Sequence, residues 1–218
     1  MNKSIIFDLD GTLLYTLGDI NSAINFALKS FNLRENTLEQ TREYVGLGAM
    51  TLVKKSIYHI KNPVLFINNP ISTQVLDLYN KKYREIQLNT TRPYDTVIQT
   101  LKSLKDKGYK LAVLSNKPDI DTKTIINHYF EGVFDIVEGD NDNYRLKPNH
   151  KHLKDLIYKL GSKVENTIYV GDSITDIKTA HNANVKCISC TYGYVDKEIL
   201  KLYNKYTIDK FSEILELI

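Results

Sequence analysis

Short apolar runs rich in β-branched residues punctuate the chain at Ser4–Phe7, Lys110–Ser115, Phe134–Gly139, Thr167–Asp172 and Lys186–Gly193. Each has the length and composition of a strand covered on both faces, because a half-exposed strand would alternate apolar with polar positions. Between these runs, apolar residues recur at helical spacing. Val97, Ile98, Leu101 and Leu104 lead to Gly108; Leu153, Leu156, Ile157 and Leu160 lead to Gly161; Ile177, Ala180 and Ala183 lead to Asn184. Glycine and asparagine enter the left-handed region cheaply, so each predicts a helix end. Strands alternating with helices predict an α/β chain with a doubly wound, mainly parallel sheet.

One stretch breaks the alternation. From about Leu17 to Asn89 every strong period is helical: Ile20, Ala23, Ile24, Ala27, Leu28 and Phe31 make one apolar stripe, and Thr37 with Gln40 makes a capping-box pattern. Met50–Ile60 and Ser72–Ile86 continue in the same period, and Tyr79 with Tyr83 reads as core packing. The pattern predicts an all-helical module over 17–87, inserted into a sheet domain made of 1–16 and 88–218.

Composition narrows the possibilities further. With 218 residues, 42% hydrophobic and 25% charged, the chain suits one buried core plus a small module, and disordered or collagen-like readings fall away. The formal charge of +3 arises from 29 basic and 26 acidic side chains spread along the chain. That excludes a clustered basic face for nucleic acid or anionic membrane. Asp8 and Asp10 interrupt the first apolar run, so no signal-peptide core or membrane span is expected and a cytoplasmic location follows. Cys187 and Cys190 spell C-x-x-C inside a strand and its exit; they read as two small strand residues rather than a zinc or redox pair.

The chemistry concentrates at Phe7-Asp8-Leu9-Asp10-Gly11-Thr12-Leu13. Two carboxylates leave the carboxyl end of the first strand, where open α/β sheets bind ligands. Residues two apart in an extended segment face one side, so Asp8 and Asp10 address a common centre. Gly11 permits a sharp turn, and the amides that follow, Thr12 included, are expected to hold phosphate oxygens. Three further segments end at the same edge: Ser115-Asn116, Lys147 before Pro148, and Gly171-Asp172-Ser173-Ile174-Thr175-Asp176. They bring a hydroxyl and an ammonium suited to a phosphate dianion, and carboxylates suited to a hard cation.

These four segments, in this order, resemble the phosphatase branch of the haloacid dehalogenase superfamily. The resemblance implies a Rossmann-like core with a small all-helical cap, Asp8 as nucleophile and Asp10 as general acid and base. It implies Ser115 and Lys147 on the phosphoryl group, and Mg2+ held by Asp8, the Asp10 carbonyl and Asp172, with Asp176 supporting the site from outside. The Gly46-Leu47-Gly48 turn resembles the cap segment of phosphoglycolate phosphatases that meets substrate, as do RPYDTV and TYGY. The implied partner is a small phosphorylated metabolite, without nucleic acid or membrane, and the chain acts as a monomer or homodimer. A phosphomutase like β-phosphoglucomutase, or a sugar or nucleotide phosphatase, is the alternative.

The chain departs from that pattern at Tyr15, where an aspartate is usual, and at Asn149-His150, where a proline is usual. The five histidines, His59, His128, His150, His152 and His181, show no nucleophile-base spacing and read as surface or cap residues. Lys54 and Lys55 read as a solvated helix face, with His59 beside them.

Overall fold

A computed structural model describes residues 2–59 and 70–218. The chain divides into two compact units, one formed by Met1–Tyr15 with Pro93–Ile218 and the other by Thr16–Arg92. In the first, strands β1 (Asn2–Phe7), β4 (Lys110–Pro118), β5 (Ile136–Asp140), β6 (Ser162–Gly171), β7 (Lys186–Cys190) and β8 (Thr207–Ile208) form one sheet in the order β5-β4-β1-β6-β7-β8. Every pair in it is parallel. Short strands β2 (Leu14–Tyr15) and β3 (Arg92–Pro93) mark the two ends of the excursion into the second unit. Helices α5 (Val97–Asp106), α6 (Asp119–Phe130), α7 (Lys151–Lys159), α8 (Ile174–Ala183), α9 (Lys197–Tyr203) and α10 (Ile214–Leu217) complete the first unit.

The sheet is covered on both faces, which is why its strands are not patterned by alternation. Ile6, Ala112 and Tyr169 pack with Leu153, Leu156 and Ile157 of α7 and with Ala180 and Ala183 of α8. Phe7 points the other way, its ring centroid 5.7 Å from that of Phe211 and 6.2 Å from that of Phe134. From β1 the chain winds outward to β4 and β5, then returns to β6 on the other side of β1. The winding therefore reverses between β1 and β6, and a crevice opens at their carboxyl ends.

Helix ends follow the residue chemistry. Gly108, Gly161 and Asn184 adopt φ of 82°, 61° and 60° just beyond α5, α7 and α8. Two expectations are corrected. Ile98, placed in the α5 stripe, is 56% exposed, because Val97, Thr100, Leu101 and Leu104 define the buried side and Ile98 lies a hundred degrees from it. Phe31 lies beyond α1 as its C-cap and is only partly buried. Helices α6, α9 and α10 and strand β8 were not expected.

The second unit is helical throughout its described residues: α1 (Leu17–Ser30), α2 (Leu38–Tyr44), α3 (Ala49–Tyr58) and α4 (Pro70–Ile86). Thr37 and Gln40 close a capping box at the start of α2. Ile60, expected at the end of α3, lies outside the described residues. Tyr79 and Tyr83 are buried and stacked at 5.8 Å. Asp19, in the first turn of α1, accepts hydrogen bonds from the backbone N–H and hydroxyl of both Thr90 and Thr91, at 2.7–3.1 Å. It therefore fastens the unit's exit to its entry. Gly18 permits that approach, since a Cβ there would overlap the Thr90 side chain.

Candidate active site

Register places the first carboxylate. Phe7 pairs with Val113 of β4 and Val170 of β6, and the Asp8 N–H donates to the Val170 carbonyl at 2.9 Å. Asp8 therefore emerges beside Asp172, the first residue past β6. Asp8 Oδ1 accepts from the Leu9 N–H at 2.7 Å and lies 2.9 Å from Lys147 Nζ. The Lys147 ammonium also reaches Asp176 Oδ1 at 2.8 Å and the Tyr169 hydroxyl at 3.1 Å. Tyr169 donates in turn to Asp176 Oδ1 at 3.1 Å. All four side chains are buried.

The Lys147 backbone is held twice by one side chain. Its N–H donates to Asn116 Oδ1 at 2.8 Å, and its carbonyl accepts from Asn116 Nδ2 at 3.2 Å. Ser115 is buried next to it, its hydroxyl accepting from the Lys117 N–H at 3.2 Å. Asp172 Oδ1 accepts from the Thr12 hydroxyl at 3.0 Å, and Oδ2 from the Tyr194 N–H at 2.7 Å. Asp176 caps α8: its Oδ2 accepts from the N–H and hydroxyl of Ser173.

Charge in this cluster is unbalanced. Asp8, Asp172 and Asp176 each offer an oxygen within 4.8 Å of the others, and the Lys147 ammonium is in direct contact with Asp8 and Asp176. Burial, then Asp176, push the Asp8 carboxyl up to about 7 against the pull of Lys147. Burial, then Asp176 and Asp8, drive Asp172 well above the carboxylate range, with only Tyr194 and Thr12 in opposition. Burial works against the Lys147 ammonium, yet Asp176 and Asp8 outweigh it and raise its pKa. Clustered buried carboxylates with an excess of negative charge suit a hard, oxygen-seeking divalent cation.

Two glycines let the loops close on Asp172. Gly11 has φ of 84°, and a Cβ on it would lie 2.7 Å from Asp172 Cγ. A Cβ on Gly193 would lie 2.6 Å from the same atom. The turn itself corrects one expectation. The amides of Gly11 and Thr12, expected to hold phosphate oxygens, donate instead to the carbonyls of Leu14 and Leu9, at 2.9 and 3.3 Å. They serve the turn; the Thr12 hydroxyl serves Asp172.

Sequence reasoning missed several participants. Lys117 Nζ lies 3.1 Å from Asp10 Oδ2, and both groups are largely buried. Tyr192 donates to the Thr12 carbonyl at 2.9 Å, bracing the turn from the TYGY segment. His152, expected at the surface, is 6% exposed and sits 2.6 Å from Glu138. Lys55, expected on a solvated face, is also buried: its ammonium lies 5.7 Å from the Tyr44 ring centroid, and burial lowers its pKa. Gly46 and Gly48 belong to the second unit, with φ of 103° and 87°. Cys187 and Cys190 are free thiols in β7. No helix among the described residues is long and apolar enough to cross a membrane.

The switch point of a parallel sheet with reversed winding thus gathers carboxylates and a lysine. The model of the haloacid dehalogenase-like hydrolases matches residues 5–190, and the chain belongs to that family. It is 32% identical to a phosphoglycolate phosphatase of Haemophilus influenzae, over 99% of this chain and 98% of the relative. It is 34% identical to one from Agrobacterium fabrum, over 96% and 89%. Among solved structures, a predicted phosphoglycolate phosphatase from Haemophilus somnus superposes with a TM-score of 0.89 at 30% identity, covering 99% of this chain and 97% of that one.

Proposed function

We propose that the chain is a Mg2+-dependent phosphatase of small phosphate monoesters that works through an aspartyl-phosphate on Asp8, with 2-phosphoglycolate as first candidate substrate. The observation that carries this reading is the Lys147 ammonium between Asp8 and Asp176, at the rim of the three-carboxylate cluster. A monoester dianion repels an incoming carboxylate, so positive charge has to gather around both before they meet. Lys147 supplies part of it. Asp8, Asp172 and the Asp10 carbonyl would hold Mg2+, which supplies the remainder and keeps Asp8 ionised; Asp176, with Ser173 and Lys147 on its oxygens, orients from outside.

Asp8 Oδ1 already accepts from Leu9 and Lys147, which leaves Oδ2 to attack phosphorus. The P–O bond to the leaving alcohol breaks as the new P–O bond forms, and protonated Asp10 gives its proton to the departing oxygen. Asp10, now ionised, takes a proton from water as that water attacks phosphorus and returns Asp8. Proton transfers of this kind contribute about 10²–10⁴-fold. Ser115 and Lys147 hold the transferred group, and leaving-group choice falls to the inserted helical unit, Gly46 and Gly48 included.

The test is Mg2+-dependent release of phosphate from an aryl phosphate and from 2-phosphoglycolate, by wild type and Asp8→Asn. Wild type is expected to turn over both and Asp8→Asn neither. Ordinary turnover by Asp8→Asn would remove the nucleophile, and transfer to a second hydroxyl rather than to water would identify a mutase.

A further inference from the structure

Lys147 lies on the loop between β5 and α7, yet its ammonium meets two carboxylates at 2.8 and 2.9 Å. Asn116 pins the loop at Lys147 itself. Asn182 Nδ2 adds a bond to the Pro148 carbonyl at 3.1 Å, so both attachments gather at residues 147 and 148 and leave the rest of the loop to be held by other means. Tyr144, three residues before the lysine, lays its ring on His152, five residues after it, with centroids 4.2 Å apart and planes at 13°. His152, in the first turn of α7, is buried and meets the Glu138 carboxylate of β5 at 2.6 Å. Lys159 holds Glu138 at 2.8 Å and Asp155 at 2.7 Å. The segment from 144 to 152 is thereby closed on itself, and its base is fixed to both β5 and α7.

We infer that the Tyr144–His152 stack, anchored through Glu138, is the positioning device for Lys147. Neither ring touches Asp8, Asp172 or Asp176; they act through the loop. A pivot of the loop by a fraction of an ångström spoils both ammonium contacts, and misplacement by about 1 Å costs on the order of 10²-fold in rate. The inference rests on the phosphatase reading only in that Lys147 grips the phosphoryl group.

The experiment measures turnover of an aryl phosphate and affinity for orthovanadate in Tyr144→Ala, His152→Ala and Tyr144→Phe, each alone and with Lys147→Met. Tyr144 is only partly buried, so its variants keep the fold even where a His152 variant does not. Both alanine variants are expected to lower kcat and vanadate affinity about tenfold, with KM changed less, while Tyr144→Phe, which keeps the ring and gives up only the hydroxyl's hydrogen bond to Asp155, loses less than either. With Lys147→Met in place, the alanine substitutions are expected to weaken vanadate no further, since residues acting through one group are not additive. Wild-type affinity in Tyr144→Ala, or an equal loss with and without Lys147, overturns the inference. Absent turnover in wild type sinks the phosphatase reading instead, and vanadate affinity still reads the loop.

Discussion

Gly193→Ala puts the construction of the site under direct strain. The added Cβ would lie 2.6 Å from Asp172 Cγ and overlap its Cβ and Oδ2, whereas ordinary contact begins at 3.4 Å. At least 0.8 Å has to open, and both sides are built to resist it. Asp172 is held by Thr12 at 3.0 Å and by Tyr194, the residue after the glycine, at 2.7 Å. Moving either the carboxylate or the turn breaks the Tyr194 bond. Overpacking of this kind costs about 1–3 kcal/mol. For a chain of this size that lowers Tm by about 2–4 °C per kcal/mol. Loss of a partner that orients a metal-binding carboxylate costs about 10–100-fold in metal affinity. Calorimetric Mg2+ titration, with thermal melting beside it, reads both effects. Mg2+ affinity within twofold of wild type in a folded variant would refute the assignment of Asp172 and of the turn that holds it.

Three further outcomes are expected. Without metal, the folded chain holds a proton on Asp8 up to about pH 7, whereas the unfolded chain loses it near 3.8; metal-free stability therefore falls as pH rises between those values. Mg2+ affinity rises over the same interval, and melting curves across pH with and without Mg2+ that run parallel would contradict this. Lys117→Met removes the ammonium that holds Asp10 and is expected to slow 2-phosphoglycolate more than an aryl phosphate, whose leaving group needs no proton; equal slowing in steady-state assays would contradict it. Asp19→Ala removes the acceptor shared by exposed Thr90 and buried Thr91 and is expected to destabilise the chain chiefly through Thr91, at about 1–3 kcal/mol for a buried donor that loses its partner; urea denaturation unchanged from wild type would contradict this.

Much of the sheet was legible because burial on both faces leaves unbroken apolar runs, as at Ser4–Phe7 and Thr167–Asp172. Helix ends were legible where Gly108, Gly161 and Asn184 mark them. Helix α6 was not, since Asp121 and Thr122 share its buried side with Ile125 and Ile126 while Ile120 faces out. Two-residue β8 carries no period at all. At the site, Asp8, Asp10 and Asp172 just past strand ends, and Lys147 before a proline on the loop after β5, were legible as residue types suited to phosphate and metal chemistry. Their supporting cast was not. The Lys117–Asp10, His152–Glu138 and Tyr192–Thr12 contacts join segments 107, 14 and 180 residues apart, and no local spacing encodes them. The amides after Gly11 misled for the converse reason: a glycine turn is the same string of letters whether its N–H groups face a ligand or its own carbonyls.

The knot at Asp19 bears on how such a chain can change over generations. Because the inserted helices are stitched together by their own first and last residues, the host receives them as a cassette with a sewn hem. Changes in the interior of the cassette need not cross that seam, so the strand bearing Asp8 can keep its register with its neighbours while the helices vary.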